Sequence, residues 1–373
     1  MKKSLLAVPA VISAMALSLS GCAKAPDENG KSTSSSSSSS SATAAGSSGD
    51  FKACMVSDSG GFDDKSFNQT SHKGLLDAQK ELRIQTGEVE SKDTKDFATN
   101  IQSMVDAKCN IIVTVGFMLG DATVAAAKAH PDVNFAIVDW GDPKGKGIKN
   151  LKELVFNTAE SSFEAGYVAA SMTKSGKVGT FGGMKIPTVT IFMDGYAQGV
   201  DYYNKTKNKN VQVLGWDAAK QDGSFNPGKF EDVAGGKRTA QNLVSQGADI
   251  IFPVAGPAGQ GALQVAAASG GKVDAIWVDT DGCVSAAQYC PSIITSAYKA
   301  MDVAVKDTIT SAKEGKFNSE PYVGTLANDG TGLSPFHDFE SKVPEETKKE
   351  LETIKKDIID GKIKIESKAQ PAA

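Results

Sequence analysis

Residues 250–282 read IIFPVAGPAGQGALQVAAASGGKVDAIWVDTDG, and residues 111–142 read IIVTVGFMLGDATVAAAKAHPDVNFAIVDWGD. Each stretch opens on an apolar run of strand length, Ile250–Val254 or Ile111–Val115, and turns on a glycine, Gly256 or Gly116. An Ala-rich segment follows. A second apolar run, 275–278 or 135–138, then ends on an acid, Asp279 or Asp139. Strands that are apolar throughout are buried on both faces, as in parallel sheets. The two stretches are therefore read as strand–helix–strand units, and their recurrence predicts two α/β lobes of similar build. Ligands of open α/β sheets sit outside the carboxyl ends of the strands, where both acids fall. One such acid is as readily a turn or helix cap. Two in matching places predict a cleft between facing lobes, suited to a ligand rich in hydroxyls or amines.

The N-terminal 22 residues lie outside this pattern. Lys2 and Lys3 precede a short apolar stretch at 5–19, broken by Pro9, which reads as an export signal. The junction Leu19-Ser20-Gly21-Cys22 resembles a bacterial lipobox, so Cys22 is the expected lipid-attachment site and the membrane surface the expected location. Residues 23–50 are low complexity, with unbroken serine at 34–41, and read as a disordered tether. Gly30-Lys31-Ser32-Thr33 imitates the end of a phosphate loop but has no strand before it and no helix after it. The remaining length, roughly 320 residues, suits two lobes. Forty basic against 44 acidic residues leave a net charge of −4, so nucleic acid is not an expected partner. Cys54 with Cys109, and Cys283 with Cys290, are both feasible disulfides; sequence leaves the connectivity open.

Between the repeats the chain alternates strands and helices. A first strand at 51–56 leads through SDSGGFDDKSFN (57–68) into a helix at 69–82, which puts Asp58 and Phe67 on the carboxyl edge of a sheet. Further helices are expected at 95–108, 161–173, 189–204, 237–246, 293–314 and 344–359. Further strands are expected at 151–157, 177–181, 211–216 and 322–326. Lys299 then falls on the first turns of the 293–314 helix. The polar stretch 218–236 carries Phe225 and Phe230.

Three histidines, His72, His130 and His337, stand in no metalloprotease or serine-elbow pattern. A hydrolase built on carboxylates alone, Asp139 and Asp279, is the reading from another class. The turn 256–261 could cradle an anion at a helix start, but it lacks a lysine and has Asp279 nearby. A neutral hydroxyl on the Gly256 amide fits better.

Seven motifs occur in order: SDSGGFDDKSFNQ (57–69), AIVD (136–139), FGGM (181–184), DGYAQGV (194–200), IIFPVAGPAGQG (250–261), WVDTDG (277–282) and ITSAYKAMD (294–302). Over residues 51–365 the chain thereby resembles the basic membrane protein family of ABC-transporter substrate-binding lipoproteins, which includes purine nucleoside receptors. The resemblance implies a two-lobed type I periplasmic-binding-protein fold. It puts lobe I at 51–157 and 284–320 and lobe II at 158–283 and 321–366, with crossings near 157–160, 281–290 and 320–328. It implies no enzyme activity and no cofactor. The expected partners are a nucleoside, probed against a sugar or other small polar metabolite as the alternative, and the permease and ATPase subunits. The base would stack between Phe67 and Phe230, with Phe225 the weaker choice for the second ring. Asp58 and Asn68 would stand near the base edges, and Asp139, Gly256, Asp279 and Lys299 near the ribose.

Overall fold

The computed structural model describes residues 51–226 and 229–371. The export-signal, lipid-attachment and tether readings fall outside these residues. Among the described residues no helix is long and apolar enough to cross a membrane.

The first repeat lies in the middle of one sheet. β1 (Lys52–Ser59), α1 (Phe67–Leu82), β2 (Gln85–Ser91), α2 (Phe97–Asp106), β3 (Ile111–Val115), α3 (Gly120–Ala129), β4 (Asn134–Val138) and β5 (Leu151–Phe156) follow in turn. After α4 (Ala159–Met172) the pattern restarts with β6 (Lys177–Gly182), α5 (Pro187–Lys207) and β7 (Gln212–Leu214). A small antiparallel pair, β8 (Trp216–Asp217) and β9 (Asp222–Gly223), precedes α6 (Val233–Ser245). The second repeat then supplies β10 (Ile250–Val254), α7 (Gln260–Ala268) and β11 (Asp274–Asp279). The short helix α8 (Gly282–Ser285), β12 (Ile293–Lys299), α9 (Met301–Lys313), β13 (Tyr322–Gly324), β14 (Thr331–Leu333) and α10 (Glu345–Ile359) complete the chain.

One sheet has the order β2-β1-β3-β4-β5-β13 and is parallel throughout. The other has the order β7-β6-β10-β11-β12-β14, parallel except for the edge strand β14. Every residue of β3 and of β10 is buried, as their unbroken apolar sequence requires. The protein is thus an α/β molecule of two lobes of the same topology. In each sheet the first and third strands are neighbours, and that reversal of strand order opens a crevice at the carboxyl ends.

The chain changes sheet after β5, after β12 and after β13. The first and third changes fall where expected. The second does not. Residues 293–299 form a strand of the second sheet, not the start of a helix, and α9 begins at Met301. The run Ile293-Ile294-Thr295 is β-branched, and six of the seven residues of β12 are buried between β11 and β14. The 284–300 segment therefore belongs with the second sheet, and Met301, Val305 and Ile309 of α9 pack in the first lobe's core. Conversely, β13 pairs with β5 in the first sheet rather than joining the second lobe. Two disulfides are formed. Cys54–Cys109 ties β1 to the entrance of β3, and Cys283–Cys290 closes a short loop after α8 begins.

Candidate functional site: the cleft between the lobes

The carboxyl ends of both sheets face one cleft, with about 70 Å³ of water-accessible space inside it. All eight ligand residues expected from the sequence line it: Asp58, Phe67, Asn68, Asp139, Phe230, Gly256, Asp279 and Lys299.

The two acids that end the repeats are equivalent in backbone as well as position. Asp139 has φ 61° and Asp279 φ 68°. This left-handed conformation is uncommon outside glycine, and aspartate is among the side chains that tolerate it. Between their carboxylates stands Lys299, at the end of β12, 3% exposed. Its Nζ bonds Asp139 Oδ2 and lies 3.1 Å from Asp279 Oδ1. Burial works against the ammonium charge, but the two carboxylates outweigh it, so Lys299 holds its proton more tightly than an ordinary lysine. Asp139 directly follows β4 of the first sheet while Asp279 and Lys299 end strands of the second, so this bridge spans the lobes. Two more contacts do the same: Ser66 Oγ donates to Asp279 Oδ2 (2.8 Å), and Trp277 Nε1 donates to the Lys65 carbonyl (3.3 Å).

On the first lobe, Asp58 accepts from Asn68 Nδ2 at 2.9 Å. Gly116, φ 121°, lets the chain pass close beside it: a Cβ there would come within 2.2 Å of Asp58 Oδ2. Burial, with Asp64 adding repulsion, pushes the Asp58 carboxyl up to about 7 against the Asn68 bond. Asn68 is buried, and its Oδ1 has no hydrogen-bond partner among the described residues, so the side chain keeps an acceptor at the cleft wall. Asp64 anchors the start of α1 by accepting from the amides of Ser66 (2.9 Å), Asn68 (2.9 Å) and Gln69 (3.0 Å). Burial pushes its carboxyl up to about 6 despite those bonds.

Phe67, at the start of α1, packs with the first lobe and its ring lies 4.8 Å from Lys299 Nζ. Phe230 packs with the second lobe. Its ring rests on the backbone at Gly183, where a Cβ would approach to 2.4 Å, and its carbonyl accepts from the Ala258 amide at 2.7 Å. Phe225 does not line the cleft; it bridges to Gly182 and sets its ring edge-on to Trp216 at 6.0 Å.

Sequence reasoning missed Asp64, Ser66 and Phe192. Phe192 of α5 lines the cleft 5.2 Å from Lys299 Nζ. The pair Asp63-Asp64, close before a helix, was the one available signal for a cap. Nothing local marks Ser66 as the partner of an acid 213 residues away.

Two lobes of one topology, closed on a cleft lined by aromatic rings and hydrogen-bonding groups, define a solute-binding protein of the type I class. Residues 51–369 match the family described as ABC transporter substrate-binding protein PnrA-like, and the chain belongs to that family. It is 32% identical to the ABC transporter nucleoside-binding protein BmpA of Lactococcus lactis subsp. cremoris, over 99% of this chain and all of that one. It is also 32% identical to basic membrane protein A2 of Borrelia garinii subsp. bavariensis, over 82% of this chain and 85% of that one. Among solved structures, an ABC transporter solute-binding protein of Aeropyrum pernix K1 superposes with a TM-score of 0.75 at 25% identity, over 84% of this chain and 92% of that one.

Proposed function

We propose that this substrate-binding protein captures a nucleoside, with a purine base, in its closed cleft. It would hand the ligand to the permease and ATPase subunits of an ABC transporter from the outer face of the membrane, held there by lipid on Cys22. The observation that carries this reading is the pairing of two aromatic rings, Phe67 from one lobe and Phe230 from the other, with a carboxylate pair on the same cleft. A flat base sandwiched by rings gains affinity at low entropic cost. Ribose hydroxyls can donate to Asp139 and Asp279 in charge-assisted bonds. Asp58 and Asn68 offer acceptors and donors to a base edge. The nucleoside-binding description of the Lactococcus relative agrees.

No chemistry is needed. A carboxylate hydrolase requires one of its two acids to be free to protonate the leaving group, whereas Asp139 and Asp279 are both engaged by the Lys299 ammonium. Nucleoside is expected to be recovered intact after long incubation with the protein. The decisive experiment is thermal unfolding against nucleosides, bases and sugars. A ligand that binds only the folded state raises Tm by mass action. Adenosine, guanosine or inosine should raise it and ribose should not; a shift with sugars alone would replace the nucleoside with a sugar.

A further inference from the structure

Beside the cleft lies a second, wider chamber of about 670 Å³, and Phe117, Asp139 and Thr188 line both spaces. Its floor is the first crossing between the lobes, with Val155, Phe156 and Thr158. The loop around Lys146, the start of α5, the approach to β13 and residues 369–371 form its sides. The rings and amides of the base end, Phe67, Phe230 and Asn68, do not reach it. Of the eight expected ligand residues only Asp139, assigned to ribose, borders both spaces.

Charge distinguishes this chamber from a passive vestibule. Beyond Asp139, which Lys299 neutralises, its ionisable walls are Asp142, Glu153 and Glu320 against Lys146 alone. Glu153, which lines the chamber, has its Oε1 packed against Gly145 and its carboxylate beside the Asp142 amide.

We infer that the protein takes nucleosides extended at the sugar end by a neutral or cationic, hydrogen-donating substituent, which the chamber receives. This rests on the nucleoside reading of the cleft. With the adjacent ribose hydroxyls bonded to the acids, the exocyclic 5′ carbon is the position from which a substituent can grow. The three carboxylates favour an ammonium and oppose a phosphate.

The test is calorimetric titration of the full chain. Adenosine, guanosine and inosine are titrated as parents, followed by the 5′-deoxy-5′-aminopropylthio derivative and the 5′-monophosphate of whichever binds tightest. The amine derivative should bind within about tenfold of its parent, since the chamber needs no rearrangement to admit it. The monophosphate should be weaker by about a hundredfold or more, as like charges juxtaposed across an interface require. Glu153→Gln should weaken the amine derivative by about fivefold, the size of a half-exposed ion pair, and leave the parent unchanged. A parent that binds while its amine derivative does not would close the chamber to ligand and leave the nucleoside site standing. Equal affinity for the amine and the monophosphate would overturn the charge selection. If no nucleoside binds, both readings fall together.

Discussion

Lys299 should hold the lobes together rather than hold either lobe folded, and Lys299→Met tests this. Its Nζ sits between Asp139 of the first sheet and Asp279 of the second, 3% exposed. Methionine keeps much of the stem and deletes the charge, leaving two buried carboxylates facing one another. Removing one partner of a buried ion pair costs about 3–5 kcal/mol. That cost is felt only when the lobes are closed, because opening exposes both acids to water. It therefore falls on the closing equilibrium, and apparent affinity drops in proportion to the closed population. At about 1.4 kcal/mol per tenfold, the lower bound of 3 kcal/mol predicts a loss of roughly a hundredfold in Kd. Titration calorimetry should show that loss, small-angle scattering should show a more open unliganded molecule, and the unliganded Tm should stay within a few degrees of wild type. Adding Asp279→Asn to Lys299→Met should recover part of the closure, since one buried charge remains instead of two. An affinity within about threefold of wild type, less than 1 kcal/mol, would refute the reasoning. A collapsed Tm with unchanged affinity would make Lys299 a folding residue instead.

Phe67→Ala and Phe230→Ala should each weaken nucleoside binding by about tenfold or more, the loss of a base–aromatic stack; Phe225→Ala should change Tm rather than Kd, because its ring packs on Trp216. Asp58 carries a pH dependence with a definite sign. Its carboxyl is raised to about 7 in the closed protein, so the closed state binds a proton that an exposed carboxyl releases near 4. The stability this gives is full below about 4 and is lost as pH rises through 7. A Tm series from pH 4.5 to 8 should fall across that window in wild type and fall less steeply in Asp58→Asn, since Asp64 and Glu164, raised by burial to about 6 and about 8, keep their share of the slope. The two disulfides differ in span, 55 residues for Cys54–Cys109 and 7 for Cys283–Cys290. Chain entropy assigns them about 4 and about 2 kcal/mol, so the Cys54→Ala/Cys109→Ala protein should melt lower than its counterpart, as calorimetry would read directly.

The lobes and the acids were legible for one reason. A parallel strand buried on both faces is spelled in consecutive apolar residues, and the chain spells two such units ending on the same side chain. The φ values of Asp139 and Asp279 extend that correspondence to the backbone. Lys299 shows the limit. It lies on the cleft as the family resemblance implied, but in a strand rather than a helix. The apolar positions 293, 294, 297, 301, 304 and 305 follow a helical spacing, and only flanking by β11 and β14 decides for a strand over 293–299. The three residues of β13 are too few to carry a pattern, so their return to the first sheet could not be read. Ser66 gains its place from closure of one lobe on the other, a contact that no local window contains; Phe192 gains its place from the packing of α5 beside the end of β12 within the second lobe, and Asp64 is a local cap whose place on the cleft only the fold supplies.

The charge balance of the cleft narrows its ligand further than its shape does. Asp58, Asp64, Asp139 and Asp279 line it, with Lys299 the single cation among the described lining residues. That lysine is spent on Asp139 and Asp279, and Asp64 is spent on three backbone amides. Asp58 remains, half-neutral near pH 7 and paired with an asparagine that can turn its amide to donate or accept. No group is left to offset an incoming anion, so a phosphate on the ligand would meet carboxylates in a closed, low-dielectric space. A neutral ligand meets the opposite situation. Its hydroxyls and ring nitrogens find acceptors already desolvated and fixed in place, at a cost the protein bears when the lobes close on the Lys299 bridge. Lys299 offsets part of the carboxylate charge of the closed cleft, so removing it should sharpen the discrimination against a phosphate as it lowers affinity. Comparing Lys299→Met with wild type on a nucleoside and its monophosphate reads this directly: the preference for the nucleoside should widen as its affinity falls, and a preference that stays fixed would separate closure from selection.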